Sequence, residues 1–309
     1  MMQDPEIFRT VLESLPIGVY MVDRDLKVIF WNRGAERISG YLAQDVIGRH
    51  CREKLLVGLD ESDPAAGGEA SQLTDSLRDG QPIEADVFLR HRSGHRIPVH
   101  VCAVPLRNSQ DKIVGAAEIF EENRFAAAGD RRTEVETSCT IDSVTGLPDN
   151  EATGLKLKQA FAELVDSQVP FCILCVQVDG LSGFQSSHGK EAVDTALRVV
   201  AQTLRNALRP SDVVGCWPDE QFLAIVKNCR KAALKIVGER LRKMVSFSGV
   251  EWWGDELSVT VSMGGDAAAH DDTAESLMAR AQVALSQSQA NGGDRVIVSS
   301  GDENHSLKV

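Results

Sequence analysis

Two things are scarce in this sequence: long apolar runs and an excess of basic residues. No stretch approaches the roughly 18 consecutive apolar residues that a membrane-spanning helix needs. Residues 1–15 carry charged side chains among their apolar positions, unlike a signal peptide. The 45 aspartates and glutamates outnumber the 33 lysines and arginines, and the resulting net charge of -12 disfavours nucleic acid and anionic lipid as partners. The sequence therefore predicts a cytoplasmic protein with no nucleic acid and no membrane partner.

A disulfide framework is also missing. The 7 cysteines are odd in number and widely scattered, in a chain of 309 residues that is long enough for about two domains with their own cores. Cys172 and Cys175 form a CxxC, but they lie in an apolar run with no second ligand pair for zinc. Reduced thiols are expected, and these two are predicted to be core residues.

Residues 1–122 alternate short apolar runs with turn signals. Apolar runs at 18–22 and 27–31 flank Asp23-Arg24-Asp25, which predicts a hairpin, and a small-residue helix ending at Gly40 follows. Three further strands are predicted at 83–90, 97–106 and 113–120. This order favours one antiparallel sheet with helices on one face.

Four segments of this half resemble a PAS domain: DRDLKVIFWN (23–32), ERISGY (36–41), VIG (46–48) and IVGAAEIF (113–120). The resemblance covers most of residues 6–122. It implies a sensor or dimerisation module, so a homodimer is expected. Some PAS domains hold haem, flavin or a small metabolite between the sheet and the helices.

Two local features bear on a cofactor in this half. The segment GRHCR (48–52), with Cys51, is similar to the flavin-adduct motif of light-sensing LOV domains, but the later strands lack the Asn and Gln that would bond the flavin ring. A structural cysteine is therefore favoured. Histidines that could ligate haem are His50, His91, His95 and His100. Because the stretch 90–96 is predicted to be a solvated hairpin tip, no cofactor is assigned, and an unknown small ligand stays open.

The second half begins after a polar, alanine-rich stretch. Residues 123–140 alternate in charge and predict a solvated helical linker, and residues 301–309 predict a frayed tail. Between them, residues 141–300 predict an α/β domain with a mixed sheet. Helical periodicity is centred on 155–165, 193–208, 233–244 and 276–290. Strands are predicted at 171–178, 213–217, 222–226, 257–263 and 295–298.

From DSVTGLP (142–148) through Gly292, this half resembles the GGDEF family, the diguanylate cyclases that join two GTP molecules into cyclic di-GMP. The resemblance implies an α+β chain: a PAS domain (1–122), a linker and a nucleotidyl-cyclase-like domain with a mixed central sheet. The chemistry needs divalent metal held by carboxylates. The family's first metal carboxylate is replaced by Gln177. Glu220 keeps the second, Gln221 replaces the next glutamate, and Mg²⁺ is expected only if activity remains.

Other family positions have also changed. Pro218 and Asp219 stand where the family has two glycines. The hairpin is expected to survive, with Pro218 presetting φ at the first corner and Asp219 tolerating the second. The guanine-reading Asn and Asp correspond to Gln185 and Asp194.

The largest departure lies in the triphosphate clamp. The family pattern A-D-x-A-(L/M)-Y-x-A-K-x-x-G-R reads AQVALSQSQANGG (281–293), so the lysine is Gln289 and the arginine is Gly293. Charge-assisted contacts of this kind contribute roughly 1.5 to 3 kcal/mol each. The resemblance with these departures predicts a degenerate domain whose catalytic set is not intact.

A second motif is retained. RPSD (209–212) matches the R-x-x-D that binds cyclic di-GMP as an inhibitor in many cyclases, and the family's secondary arginine maps to Arg240. An arginine fork can donate to guanine O6 and N7, and an aspartate can accept from guanine N1 and N2. The alternative is that Asp212 only caps a helix-to-strand turn.

Three functions follow from the sequence. The leading hypothesis is a signalling protein that binds cyclic di-GMP through Arg209, Asp212 and Arg240 and acts on an unidentified downstream protein. The second is a nucleotide-free interaction scaffold. The third is a diguanylate cyclase with residual activity that depends on Glu220 and Asp194, with backbone metal ligation at Val178.

Overall fold

The computed structural model describes residues 5–51, 59–60, 72–122, 140–252 and 255–299. The chain divides into two compact units, Met1–Ala128 and Gly129–Val309. The predicted linker lies outside the described residues except for residue 140, as does the predicted tail. No helix in the described ranges is long and apolar enough to span a bilayer.

The first unit is an antiparallel sheet with helices. Its strands are β1 (Gly18–Asp23), β2 (Val28–Trp31), β3 (Leu59–Asp60), β4 (Ile83–Arg90), β5 (Arg96–Arg107) and β6 (Ile113–Glu122). Its helices are α1 (Pro5–Ser14), α2 (Arg33–Ser39), α3 (Ala43–Val46) and α4 (Gln72–Asp79). The strand order is β2-β1-β6-β5-β4-β3, with every pairing antiparallel. The predicted hairpin, the three later strands and the antiparallel sheet are confirmed.

Asn32 joins the start of α2 to the first strand. Its Oδ1 accepts hydrogen bonds from the backbone N–H groups of Ala35 and Val19, both at 2.8 Å. Its Nδ2 donates to the Leu12 carbonyl at 2.9 Å, so this fully buried amide is satisfied. The helix ends at Gly40, whose φ of 77° suits glycine.

A carboxyl group is buried in the first unit. Glu118 on β6 is 6% exposed and accepts a hydrogen bond from the Tyr20 hydroxyl at 3.1 Å. Burial raises the pKa of Glu118 to about 7, because the ionised form loses its hydration. Tyr20 and Cys51, which is not in a disulfide, belong to the apolar cluster of this unit. The core therefore contains a titratable group.

The β4–β5 hairpin tip is less solvated than predicted. Arg96 is 3% exposed, and its Nη1 lies 3.5 Å from the Phe88 carbonyl oxygen. The rings of His91 and His95 stack with centroids 4.4 Å apart, and burial lowers the pKa of His91. The Arg96 guanidinium thus lies against the neighbouring strand β4, which contains Phe88.

The second unit is built around a mixed sheet. Its helices are α5 (Asn150–Ser167), α6 (Leu181–His188), α7 (Lys190–Ala207), α8 (Lys231–Ser246) and α9 (Ala274–Ala290). Its strands are β7 (Phe171–Val178), β8 (Val213–Trp217), β9 (Gln221–Lys227), β10 (Gly249–Trp252), β11 (Asp255–Ser258), β12 (Val261–Ala267) and β13 (Val296–Val298). The main sheet has the order β13-β12-β7-β9-β8, and only β12 and β13 pair in parallel. The predicted α/β domain with a mixed sheet is confirmed.

Three details differ from the sequence prediction. The strand predicted at 257–263 is two strands, because β11 pairs with β10 in a separate ribbon and β12 enters the main sheet. Helix α6 and strand β10 were not predicted. Leu155, Val165 and Ile236, assigned to buried helix faces, are 51%, 62% and 72% exposed. Cys172 and Cys175 are free and fully buried, as predicted.

Candidate functional site

A cavity of about 620 Å³ opens where β7 ends and α6 begins. Its lining residues come from three segments of the second unit and from Thr260. They are Gln177, Val178, Asp179, Gly180, Leu181, Ser182, Asp219, Glu220, Thr260, Gln289, Gly292 and Gly293. The fold thus brings together Gln177, the altered hairpin and the altered clamp.

The charges in this cavity are negative. Among the described lining residues the ionisable side chains are Asp179, Asp219 and Glu220, and none is a lysine or arginine. Arg295 borders the cavity, with its Nε donating to the Gly293 carbonyl at 3.1 Å. A triphosphate would therefore meet three carboxylates and, where the family has two cations, Gln289 and Gly293.

Three hydrogen bonds hold the Asp179 carboxylate in place. It accepts hydrogen bonds from Thr260 Oγ1 at 2.8 Å, Ser262 Oγ at 2.6 Å and the Asp294 N–H at 3.0 Å. Gly293, with φ of 73°, would place a Cβ only 3.1 Å from Asp179 Oδ1. Its backbone is therefore fitted to glycine, and an arginine there would be strained.

The residues present do not fit a divalent metal site well. Gln177 supplies an amide, and its Nε2 donates to the Asp219 carbonyl at 3.3 Å. Asp179 is held by three donors, and Glu220 is exposed at the hairpin tip. No group of three or more His, Cys, Asp or Glu side chains in the described ranges could hold a metal ion. The donor set that Mg²⁺ requires is thus incomplete among the described cavity residues.

The hairpin survives, but with a different turn from the one predicted. Gln221 N–H donates to the Pro218 carbonyl at 3.4 Å, so the corner residues are Asp219 and Glu220. Their φ angles are 62° and 57°, as in a type I′ turn. Pro218 precedes the corners and does not occupy the first one, because the twist of paired β8 and β9 favours positive φ at both corner positions.

This turn gives a stability prediction. A glutamate in the left-handed region costs roughly 1 kcal/mol, which glycine avoids. Glu220→Gly is expected to raise the free energy of unfolding by about 1 kcal/mol, measured by urea denaturation. The control Lys235→Gly, at an exposed position inside α8, should lower it by about the same amount. A destabilised Glu220→Gly variant would contradict this account of the turn.

Four of the predicted cyclase-site positions lie outside the cavity lining: Pro218, Gln221, Gln185 and Asp194. The Gln221 Oε1 accepts a hydrogen bond from Gln282 Nε2 at 2.7 Å. In the family pattern both positions carry carboxylates, so a neutral amide pair replaces two acidic residues. Gln185 lies exposed on α6, and Asp194 lies half-buried on α7.

The R-x-x-D motif forms the loop between α7 and β8. Asp212 accepts hydrogen bonds from the backbone N–H groups of Arg209 at 3.2 Å and Lys227 at 3.1 Å. Burial raises the pKa of Asp212, opposed by these bonds. Arg209 is exposed, and Arg240 Nη2 donates to the Ala207 carbonyl at 2.8 Å, at the end of α7. Asp212 thus caps this loop, and its role in binding a ligand stays a prediction.

Four residues that shape the candidate site were not predicted from the sequence. Thr260 and Ser262 fix Asp179, Gln282 bonds Gln221, and Arg295 borders the cavity. Short hydroxyl and amide side chains at distant positions in the sequence carry no motif. Of these four residues, only Gln282 lies within a family motif, where it departs from the clamp pattern.

Comparison with known proteins is consistent with this architecture. Residues 139–295 match the family described as "Diguanylate cyclase, GGDEF domain", and residues 16–123 match the PAS domain family. The probable diguanylate cyclase DgcE of Escherichia coli is 23% identical over 96% of this chain and 26% of its own length. Diguanylate cyclase A of Treponema denticola is 29% identical over 48% of this chain and 43% of its own. The chain thus spans less than half the length of these curated relatives.

Two solved structures resemble the second unit. The GGDEF domain of DgcB from Caulobacter crescentus, crystallised in complex with c-di-GMP, is 25% identical with a TM-score of 0.50, covering 53% of this chain and 98% of that one. Diguanylate cyclase SiaD of Pseudomonas aeruginosa, in complex with its activator SiaC, is 25% identical with a TM-score of 0.50, covering 51% and 61%.

Proposed function

The chain belongs to the GGDEF family of diguanylate cyclase domains, here preceded by a PAS domain, and on that premise we propose that it binds cyclic di-GMP without making it. It is a signalling protein of the PAS–GGDEF type. The ligand site we assign is the Arg209–Asp212 loop with Arg240. The cavity at the end of β7 is the remnant of the cyclase site.

The observation that carries this proposal is the charge of the cavity. Its described ionisable lining residues are all carboxylates, and Gln177 replaces a family metal carboxylate. Without two metal carboxylates, a bound cation to neutralise triphosphate is disfavoured. GTP condensation therefore loses both its electrostatic stabilisation and its substrate clamp.

The retained loop supports nucleotide recognition at another place. Arg209 is exposed, and its backbone N–H donates to the Asp212 carboxylate, which also accepts from the Lys227 N–H. A carboxylate has about four acceptor positions, so Asp212 can cap the loop and still accept from a guanine edge. Arg240 contacts Ala207, two positions before Arg209, which places a second guanidinium by the same loop.

The proposal also includes the PAS domain and protein partners. We assign the PAS domain a homodimerisation or sensing role, with an unknown small ligand and a downstream protein still to be identified. The SiaD structure holds that cyclase with a protein activator, which supports regulation through a protein partner in this family.

The test is titration calorimetry of the full chain with cyclic di-GMP. Arg209→Ala should weaken binding roughly 5- to 100-fold, because a bidentate arginine–guanine contact is worth about 1–3 kcal/mol. Arg205→Ala, at an exposed position one turn upstream on α7, should bind as the native chain does. Equal affinity of the two variants would contradict the assigned site.

One observation favours residual cyclase activity as a second function. Glu220 lines the cavity and Arg295 borders it, so one metal ligand and one cation remain nearby. That function requires product from GTP and Mg²⁺ that disappears in Glu220→Gln. A nucleotide-free scaffold instead requires partner capture that Arg209→Ala leaves unchanged.

A further inference from the structure

Two cysteines of the second unit lie together outside the cavity. Cys172, the second residue of β7, is fully buried, and Cys229, between β9 and α8, is 5% exposed. The Cys172 Sγ donates a hydrogen bond to the Cys229 carbonyl oxygen at 3.1 Å, and the Cys229 Sγ lies 3.5 Å from the Arg230 carbonyl oxygen. Both are free. The fold has thus brought these two cysteines together although they are far apart in sequence.

We propose that Cys172 and Cys229 form a redox-active pair that a peroxide oxidises to an intramolecular disulfide. The proposal does not depend on nucleotide binding. It assigns a modification site to residues that neither the cavity nor the Arg209–Asp212 loop uses.

Cys229 is the thiol that reacts first. It lies between the exposed residues Asn228 and Arg230, directly before α8, where the positive end of the helix favours a thiolate. The neighbouring Cys172 side chain lowers the pKa of Cys229, whereas the Cys229 side chain raises the pKa of Cys172, whose S–H donates to the Cys229 carbonyl. The attacking thiolate is therefore at Cys229, and the proton stays on Cys172.

The chemistry balances with hydrogen peroxide as oxidant. The Cys229 thiolate attacks one peroxide oxygen, the O–O bond breaks, and hydroxide leaves, which gives a sulfenic acid. The Cys172 sulfur then attacks the Cys229 sulfur, the S–S bond forms, and the S–O bond breaks. The departing hydroxide takes the Cys172 proton as water. The first hydroxide takes up the proton that Cys229 released when it ionised. Two thiols thus lose two electrons, and one peroxide becomes two waters.

The disulfide would join β7 to the start of α8, beside the Arg209–Asp212 loop. Cys229 follows Lys227, whose backbone N–H donates to Asp212 Oδ1 at 3.1 Å. Arg209 and Asp212 both act electrostatically on the Cys229 thiol. Oxidation therefore changes the chain within two residues of a hydrogen bond that shapes this loop.

The experiment is peptide mass spectrometry of the full chain. After treatment with hydrogen peroxide, free thiols are alkylated and the chain is digested without reductant. We expect a Cys172–Cys229 linked peptide about 2 Da lighter than its parts, which dithiothreitol reverses. Cys229→Ser should abolish the link and leave Cys172 free for alkylation after unfolding.

Cys175→Ser is the matched control. Cys175 lies on the same strand, equally buried, and burial alone raises its pKa to about 12. This variant should form the link as the native chain does. The proposal is overturned if the native chain keeps Cys172 alkylatable while Cys229 advances to sulfinic acid, or if either cysteine links elsewhere.

Discussion

Replacing Glu118 by glutamine is expected to stabilise the first unit by about 3 kcal/mol near pH 8 and to change little near pH 4.5. The cause is the burial of the Glu118 carboxyl, which raises its pKa from 4.5 to about 7. Each pKa unit corresponds to about 1.4 kcal/mol. Glutamine is neutral at every pH and can keep the Tyr20 hydrogen bond.

The direction of the pH effect follows from proton binding. Between pH 4.5 and about 7 the folded chain holds a proton on Glu118 that the unfolded chain has released. The free energy of unfolding therefore falls as pH rises through this window. The contribution is complete below the unfolded pKa and is lost as pH passes the folded pKa. The other titratable groups acting on the pair are Cys51, through Tyr20, and Cys102, whose pKa Glu118 helps to raise.

Amide hydrogen exchange in β1 and β6, corrected for intrinsic rates, measures this effect within one unit. Glu121→Gln is the control, since Glu121 lies exposed on the same strand. The native chain and Glu121→Gln should lose protection between pH 5 and 8, and Glu118→Gln should not. An unchanged slope in Glu118→Gln would show that its carboxyl is not the titrating group.

Replacing Arg280 by leucine is expected to lower the free energy of unfolding of the second unit by about 3–5 kcal/mol. Arg280 Nε lies 2.6 Å from Asp266 Oδ2, and its two Nη atoms lie 2.6 and 2.7 Å from the Asp272 oxygens. Lys231 Nζ completes the network at 2.8 Å from Asp266 Oδ1. Because Asp266 is 2% exposed, removing Arg280 leaves a buried carboxylate with only Lys231.

The stability that Asp272 contributes to the same network also depends on pH. Hydrogen bonds from Arg280 lower the pKa of Asp272 from 3.8 to about 2. Its contribution is therefore present above pH 3.8 and is lost as pH falls through about 2.

Amide hydrogen exchange in β12 and α9 measures the loss of stability in Arg280→Leu. Arg280→Lys, which keeps the charge but not the two-pronged contact, should fall between the native chain and Arg280→Leu. Arg205→Ala, an exposed arginine, should change stability by less than about 0.5 kcal/mol. A loss in Arg280→Leu no larger than in Arg205→Ala would contradict a buried network.

Strong local patterns explain why much of the fold could be predicted. The strand at 171–178 is apolar apart from Gln177 and is buried on both faces, and its bounds match β7. The helix at 193–208 shows its buried face at regular spacing. By contrast, Val259 and Thr260 separate β11 from β12 because the two strands have different partners, which local sequence does not show.

Some features of the candidate site could likewise be predicted from the sequence, and others could not. The family register located the cavity positions, since Gln177, Asp219, Glu220, Gln289 and Gly293 all line it. The predicted corner residues of the hairpin turn were wrong because these positions depend on the pairing of β8 with β9, where Trp217 faces Gln221. The three donors to Asp179 come from residues 81 to 115 positions away, so sequence spacing could not reveal them.

The central claim is that the second unit recognises cyclic di-GMP and has lost productive GTP binding. The most direct measurement is a competition titration of the full chain, with cyclic di-GMP bound first and GTP with Mg²⁺ added afterwards. The account predicts that cyclic di-GMP binds without divalent cation and that GTP neither displaces it nor is consumed. Absence of cyclic di-GMP binding, or conversion of GTP to cyclic di-GMP, would contradict it.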